Sequence, residues 1–379
     1  MNHIVMLLSN PFRPDPRVAK EALTLGEHDY KLTIVCWDRM AEMDPYLKLS
    51  DNIEVVRIQN VRSSYGVGIK QLFRLPLFWR NAIRNTIPLK PEIVHCHDLD
   101  TLYIGWKLKR LIGCKLIFDA HEDYPALMGL HLPKPATYLL TLWERFLLNK
   151  VDYLISVSPS IVEKYSAYTT CPAQTIRNFQ SIESYNEITP EKIAEARLSI
   201  GLKPEDYVVA YIGGFSKNRL LIPLIEAVSE IPDVKLILWG DGHQKIAIQE
   251  AISLIPNISY LGWAPANFVP LFTSLADVIY YCLIPNYPYS TPNTLSNAML
   301  AGRPILASRV GDLGQIIEQT CCGILLEEVT AQSIRSKIEL LRDPTLRNQL
   351  GQAGRIAAEN KYNWEFEAQK LLTIYESLS

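Results

Sequence analysis

Short, almost uninterrupted apolar runs recur along the chain, separated by longer stretches whose apolar residues return at helical spacing. The first series of runs covers 2–9 (NHIVMLLS), 32–37 (LTIVCW), 53–58, 92–96 (EIVHC), 115–118 and 152–158. A second series covers 207–212 (YVVAYI), 234–238, 258–263, 277–282, 305–308 and 323–326. Runs this rich in Val, Ile and Leu suit parallel strands buried on both faces, not strands with one wet face. Their alternation with helical stretches predicts an α/β protein built on open parallel sheets. Local signals place several helices. Asp15 is a good N-cap and Pro16 a good first helical residue. Ser160 and Glu163 have capping-box spacing. Residues 137–149, 294–301, 331–361 and 364–378 read as helical, whereas Pro76 predicts a break within 62–90.

A polar stretch near 180–206 separates the two series, and 379 residues exceed what one core ordinarily organises. The expected division is a first domain over 1–180, a second over 181–362, and a terminal helix over 363–379. A net charge of −2 excludes a global attraction to nucleic acid or anionic lipid, so any such contact must be local. One local candidate exists. Residues 62–90 carry Arg62, Lys70, Arg74, Arg80, Arg84 and Lys90 with no acid, interleaved with aromatic and aliphatic residues. This stretch reads either as a core-packing helix with a basic outer face or as a peripheral contact with an anionic membrane. No second basic cluster supports nucleic-acid binding. The seven cysteines are scattered, without metal-site spacing, which suits a reducing cytoplasmic setting. No apolar run approaches the ~20 residues of a membrane span, and the first strand begins without a basic leader.

The candidate chemistry gathers where strands end, the edge at which open α/β sheets take ligands. The run 92–96 leads into His97, Asp98 and Asp100; the run 115–118 leads into Asp119, His121 and Glu122. Asp98-Leu99-Asp100 has the letters of a metal-binding carboxylate pair, but three residues are too few to specify one, and the pair reads as polar cleft and helix-cap residues. Arg13 and Arg17 follow the first strand and are either phosphate-facing or solvated. In the second series, Gly213-Gly214-Phe215-Ser216-Lys217-Asn218-Arg219 offers close backbone approach followed by cations at a helix start, a combination that suits a diphosphate. Trp239-Gly240-Asp241-Gly242 is a second glycine turn. Pro292-Asn293-Thr294-Leu295-Ser296-Asn297 opens a helix that ends at Gly302-Arg303-Pro304.

These segments resemble the GT-B fold glycosyltransferases of retaining family 4, the glycosyl transferases group 1. The family pattern P-N-K-L-x-E-x-M-x-A-G-x-P-V is met by Pro292, Asn293, Leu295, Met299, Ala301, Gly302 and Pro304, with Thr294 in place of Lys and Asn297 in place of Glu. The carboxylate usual eight residues upstream falls at Tyr289. The family loop G-R-x-x-x-x-K/R-G is met by Gly213 and Arg219, while Gly214 and Leu220 depart from it. His97-Asp98 and Asp119-Ala120-His121-Glu122 are similar to the family's H-D and D-x-H-E landmarks.

The resemblance implies two Rossmann-like domains facing a cleft, with a C-terminal helix crossing back to the first domain. It implies a metal-independent hexosyltransferase that takes a UDP- or GDP-linked sugar, needs no cofactor, and acts on an acceptor such as a lipid-linked or polysaccharide precursor. The implied setting is cell-envelope synthesis at the inner face of the membrane. His121 and Arg219 would be the catalytic residues. Gly213, Gly214, Lys217, Gly240, Asp241, Asn293, Thr294, Leu295 and Asn297 would bind the donor beside Arg219. Arg13, Asp15, Arg17, His97 and Asp98 would face the acceptor or the cleft. The departures at Asn297, Tyr289, Gly214 and Thr294 keep a second reading open, a weak or silent GT-B protein that binds a nucleotide or a partner.

Overall fold

The computed structural model describes residues 2–13, 15–63, 70–129, 132–285, 287 and 292–378. The chain divides into two compact units, Met1–Arg177 with Ala368–Ser379, and Asn178–Glu367.

The first unit holds an eight-stranded sheet of order β3-β4-β2-β1-β5-β6-β7-β8. Its strands are β1 (His3–Leu8), β2 (Lys31–Trp37), β3 (Tyr46–Ser50), β4 (Ile53–Ile58), β5 (Ile93–His97), β6 (Lys115–Ala120), β7 (Tyr153–Ser156) and β8 (Ala173–Thr175). All pairings are parallel except β3 with β4. β1 and β2 are buried along almost their whole length, which is why their sequences show no alternation. The antiparallel β3 is exposed at every residue. It escaped the apolar-run reading because YLKLS alternates and forms a hairpin through the two-residue turn Asp51–Asn52. The other strand not expected, β8, is three residues long at the opposite edge.

The second unit holds a six-stranded parallel sheet of order β11-β10-β9-β12-β13-β14. These are β9 (Tyr207–Ile212), β10 (Val234–Trp239), β11 (Ile258–Tyr260), β12 (Val278–Tyr281), β13 (Ile305–Ser308) and β14 (Gly323–Leu326). In each unit the chain leaves the first strand in one direction and returns on its other side. The strand order therefore reverses between β1 and β5, and again between β9 and β12. Ligands of open α/β sheets bind outside the carboxyl ends at such reversals.

The helices of the first unit used below are α1 (Pro16–Glu27), α2 (Lys70–Thr86), α3 (Leu99–Ile112), α4 (Tyr124–Met128), α5 (Lys134–Leu148) and α6 (Pro159–Ser166). Asp15 caps α1 as expected, accepting from the N–H groups of Arg17 and Val18. Two expectations are corrected. α2 runs unbroken through Pro76. A helix-interior proline costs about 3 kcal/mol, but Phe78 and Ala82 on the same helix are fully buried, and the Phe78 ring stacks on Trp37 at 4.7 Å. That packing outweighs the lost backbone bond. α6 begins at Pro159 with Ser158 as its N-cap residue, in place of the expected box at Ser160; the two hydroxyls lie 2.7 Å apart. In the second unit the stretch 331–361 is two helices, Ala331–Leu340 and Pro344–Asn360. The final helix is Trp364–Leu378, and its residues from Ala368 onward belong to the first unit. Among the described residues, no helix is long and apolar enough to cross a membrane.

Candidate functional site

At the carboxyl ends of β5 and β6 the first unit gathers a dense group of charged and imidazole side chains. Asp119, the fifth residue of β6, is its hub and is fully buried. Arg17 from α1 makes a bidentate pair with it, Nε to Oδ2 and Nη2 to Oδ1, both at 2.8 Å. The third guanidinium nitrogen of Arg17 donates to the Ile176 carbonyl at 2.8 Å, and Nε lies 3.1 Å from the buried Glu21 carboxylate. Burial alone would raise the Asp119 pKa, but the Arg17 and His121 charges hold it well below the usual carboxylate range. Glu21 lacks that bidentate partner, and burial pushes its pKa up.

His121 sits just past β6. Its Nε2 lies 3.1 Å from Asp119 Oδ2 and 3.1 Å from His97 Nδ1. Asp98 reaches it from the neighbouring strand end: Oδ1 accepts the His121 N–H at 3.2 Å, and Oδ2 lies 3.7 Å from Nδ1. Burial works against the imidazolium, but the Asp98 and Asp119 carboxylates outweigh it and push the His121 pKa up to about 10. His121 is therefore a cation at neutral pH and can only donate hydrogen bonds. His97 and His95 are stacked with ring centres 4.3 Å apart, and burial lowers both pKa values. His95 Nδ1 lies 2.7 Å from the Tyr375 hydroxyl of the terminal helix.

Glu21, His95, His97 and Asp119 bring four groups of metal-binding type within 4.8 Å of one another. The Arg17 guanidinium already lies against both carboxylates, so the chain supplies the cation that this arrangement needs. The expectations for two arginines change accordingly. Arg17 is 2% exposed and spent on Asp119, so it does not face a phosphate. Arg13 is exposed and paired with Glu42. Asp15 is engaged as the α1 cap, and Asp98 occupies the N-cap position of α3 without a side-chain cap bond of its own.

At the carboxyl ends of β9 and β12 the second unit is organised differently. The loop after β9 and the turn after β10 are tied together: Gly213 N–H donates to the Trp239 carbonyl at 3.0 Å, and Phe215 N–H to the Asp241 carbonyl at 2.8 Å. A Cβ on Gly240 would lie 2.0 Å from the Gly213 carbonyl oxygen, so only glycine permits this approach. Gly214 is exposed at the loop crest, and its carbonyl accepts from the Tyr211 hydroxyl at 2.7 Å. Lys217 is exposed; Asp241 pairs with Lys245 at 3.0 Å.

Arg219 bridges to Leu283 just past β12. Its guanidinium carbon stands 4.6 Å from the Tyr281 ring centre and 5.7 Å from that of Tyr287. Nη1 is shielded from solvent and has no hydrogen-bond partner among the described residues. A shielded guanidinium N–H without an acceptor is costly unless an anion meets it. Sequence spacing singled out Arg219 but missed the two tyrosine faces. Tyr281 lies in an apolar strand and reads as core, and only the fold turns it toward Arg219.

The helix Asn293–Leu300 starts beside this loop, and the Thr294 hydroxyl donates to the Ile212 carbonyl at 3.4 Å. A helix start leaves its first N–H groups short of intrahelical partners, although here the Leu295 N–H is already taken by the Pro292 carbonyl. Two donor-site expectations change here. Leu295 is fully buried and its N–H donates to the Pro292 carbonyl at 3.0 Å. Asn297 is 4% exposed and engaged at both ends of its amide: Tyr185 donates to Oδ1 at 2.7 Å, and Nδ2 donates to the Asn293 carbonyl at 2.9 Å. Tyr289 lies outside the described residues.

Two family models match the chain in sequence. Residues 18–179 match "Glycosyltransferase Family 4" and residues 206–343 match "Glycosyl transferases group 1". The chain belongs to the family 4, group 1 glycosyltransferases, which are sugar transferases of GT-B fold. Among curated relatives, it is 23% identical over 303 residues to the D-inositol 3-phosphate glycosyltransferase of Segniliparus rotundus, covering 76% of this chain and 66% of that one. It is 22% identical over 321 residues to the alpha-D-kanosaminyltransferase of Streptomyces kanamyceticus, covering 80% and 82%. Its fold superposes on sucrose-phosphate synthase from Thermosynechococcus elongatus with a TM-score of 0.83 at 18% identity, covering 100% of this chain and 99% of that one. It superposes on HepE from Anabaena, solved in complex with UDP-glucose, with a TM-score of 0.74 at 16% identity over 100% of both. The matched segment thus spans about two thirds of the first of these relatives.

Proposed function

We propose that the chain is a retaining, metal-independent hexosyltransferase whose donor is a UDP- or GDP-linked sugar. The carrying observation is Arg219, a cation held over two tyrosine rings with one shielded, unpartnered N–H. A nucleoside diphosphate supplies the missing acceptor. Negative charge builds on the leaving diphosphate as the glycosidic bond breaks, and a fixed guanidinium with helix N–H groups stabilises it there more than in the ground state. Gly213, Gly214, Lys217, Gly240, Asp241, Asn293 and Thr294 complete the donor side. Arg17 is committed to Asp119, so Lys217 takes the place of the family's first loop cation. His121 is assigned to the transferred sugar, donating from an imidazolium that Asp98 and Asp119 maintain. Structural neighbours solved with UDP-glucose and with UDP-2-fluoro glucose support the donor class. The acceptor is a lipid-linked or polysaccharide precursor of the cell envelope, reached by peripheral contact at the inner membrane face through residues 62–90.

One observation favours the second reading, a weak or silent GT-B protein that binds a nucleotide or a partner. The Asn297 amide carries no negative charge and already accepts from Tyr185 and donates to Asn293, so it meets ribose hydroxyls more weakly than a carboxylate would. A melting-temperature screen with UDP, GDP, ADP and their sugar conjugates, with and without Mg²⁺, separates the cases, because a ligand of the native state stabilises by mass action. The transferase reading expects one base to raise the melting temperature without metal, and sugar release from that conjugate. A shift without turnover supports a silent nucleotide-binding protein, and no shift with any nucleotide favours a silent protein that binds a partner.

A further inference from the structure

α5 wears its apolar stripe on the outside. Tyr138, Leu139, Leu142 and Phe146 fall on one helical face and are 63%, 65%, 41% and 42% exposed. The polar Glu144 is turned inward instead, accepting from the Tyr165 hydroxyl at 2.7 Å. A surface helix of a globular protein buries such a stripe, so this face lacks its partner. It continues into a connected aromatic layer. Phe146 meets Trp143 and Trp106 at 5.7 and 5.4 Å, Tyr103 meets Trp143 at 5.8 Å, and Trp79 of α2 meets Tyr103 at 4.5 Å. The far end of the layer is a groove of about 420 Å³ whose walls include Trp79, Tyr103, Arg80 and Arg84.

We propose that the outer faces of α5 and α3, with the Arg80–Arg84 groove of α2, form a docking surface for an anionic lipid bilayer. This deepens the membrane reading of residues 62–90 by naming the apolar anchor, which lies on α5 outside that stretch. The charge pattern selects the occupant. Lys107 and Arg110 cover the Trp106 face at 4.8 and 5.5 Å, and Lys150 stands 5.2 Å from the Phe146 ring. Within the three helices the acids are Asp100, half-buried, and Glu144, buried. Cations flanking tryptophan, tyrosine and aliphatic side chains match the headgroup-to-acyl boundary of an anionic leaflet. A second copy fits poorly, because a twofold contact would set these cations against their own images.

The test is flotation of the full chain with phosphatidylcholine vesicles, with and without phosphatidylglycerol. Wild type is expected to float with the anionic vesicles, and its binding to fall as salt rises. Leu139→Glu with Phe146→Glu is expected to lower binding about tenfold or more, and Arg80→Glu with Arg84→Glu to abolish the preference for phosphatidylglycerol. Both pairs lie away from the nucleotide loops, so the nucleotide-induced shift should stay at its wild-type value even where loss of the Phe146 ring contacts lowers the melting temperature itself. That second readout separates failure of the surface from failure of the transferase reading. Wild type that stays with the unbound fraction overturns the proposal. So does equal flotation of the Leu139/Phe146 variant, or a wild-type dimer that this variant dissociates.

Discussion

The carboxyl ends of the two sheets hold polar clusters of opposite character. Around Asp119 the main charges are paired within the chain, Arg17 with Asp119 and His121 with Asp98 and Asp119, while the Glu21 carboxylate and the Nε2 atoms of His95 and His97 find no hydrogen bond among the described residues. Around Arg219 the Nη1 group finds no acceptor among the described residues, and the guanidinium stands against the faces of Tyr281 and Tyr287. The first cluster is built to be rigid, and holds one imidazolium at its edge. Burial of charge therefore does not mark a ligand site by itself, and neither does a single unpartnered atom, since Glu21, His95 and His97 carry such atoms too; what differs is that the Arg17 guanidinium has a carboxylate against it and the Arg219 guanidinium has two aromatic faces.

The largest effect that sharpens this contrast comes from the hub. Asp119→Ala leaves the Arg17 guanidinium buried without its bidentate partner, a loss of the kind that costs about 3–5 kcal/mol. Denaturant unfolding should show that loss, and a cost under about 1 kcal/mol would remove Asp119 from the centre of the first cluster. His121 comes next. Its folded pKa is raised to about 10 from 6.5, so its charge contributes stability that is fully present below about pH 6.5. The contribution is lost as pH rises towards 10. Stability of wild type should fall across that window and His121→Gln should fall less; parallel profiles would mean that His121 is neutral in the folded chain. The smallest effect concerns Asn297. Asn297→Ala removes the shorter of two acceptors of the buried Tyr185 hydroxyl, leaving the Asn297 carbonyl at 3.1 Å, and should cost about 0.5–1.5 kcal/mol, with nucleotide affinity unchanged within about twofold. A large affinity loss there would return Asn297 to the donor site.

The sheets were legible in the sequence because parallel strands buried on both faces are nearly continuous apolar runs. β3 was not, being exposed, alternating and paired only at an edge. α2 was misread at Pro76 because local propensity says nothing of Phe78 packing on Trp37. Of the candidate site, Arg219 was singled out by its glycine loop and His121 by its resemblance to the family's D-x-H-E landmark. Their partners were not: the side chains of Arg17 and Asp119 meet across 102 residues, and those of Tyr185 and Asn297 across 112. The outward stripe of α5 was equally hidden, since an apolar helix reads as core until the fold shows which side it turns to solvent.

The most direct test of the account is a calorimetric titration of UDP and of GDP, without divalent metal, into wild type and Arg219→Ala. A charge-assisted hydrogen bond to phosphate contributes about 1.5–3 kcal/mol, so wild type should bind one of the two nucleotides roughly 10- to 150-fold more tightly than the variant, at an unchanged melting temperature. Equal affinities, or no binding of either nucleotide to wild type, would contradict the claim that the second cluster is left incomplete for a nucleoside diphosphate.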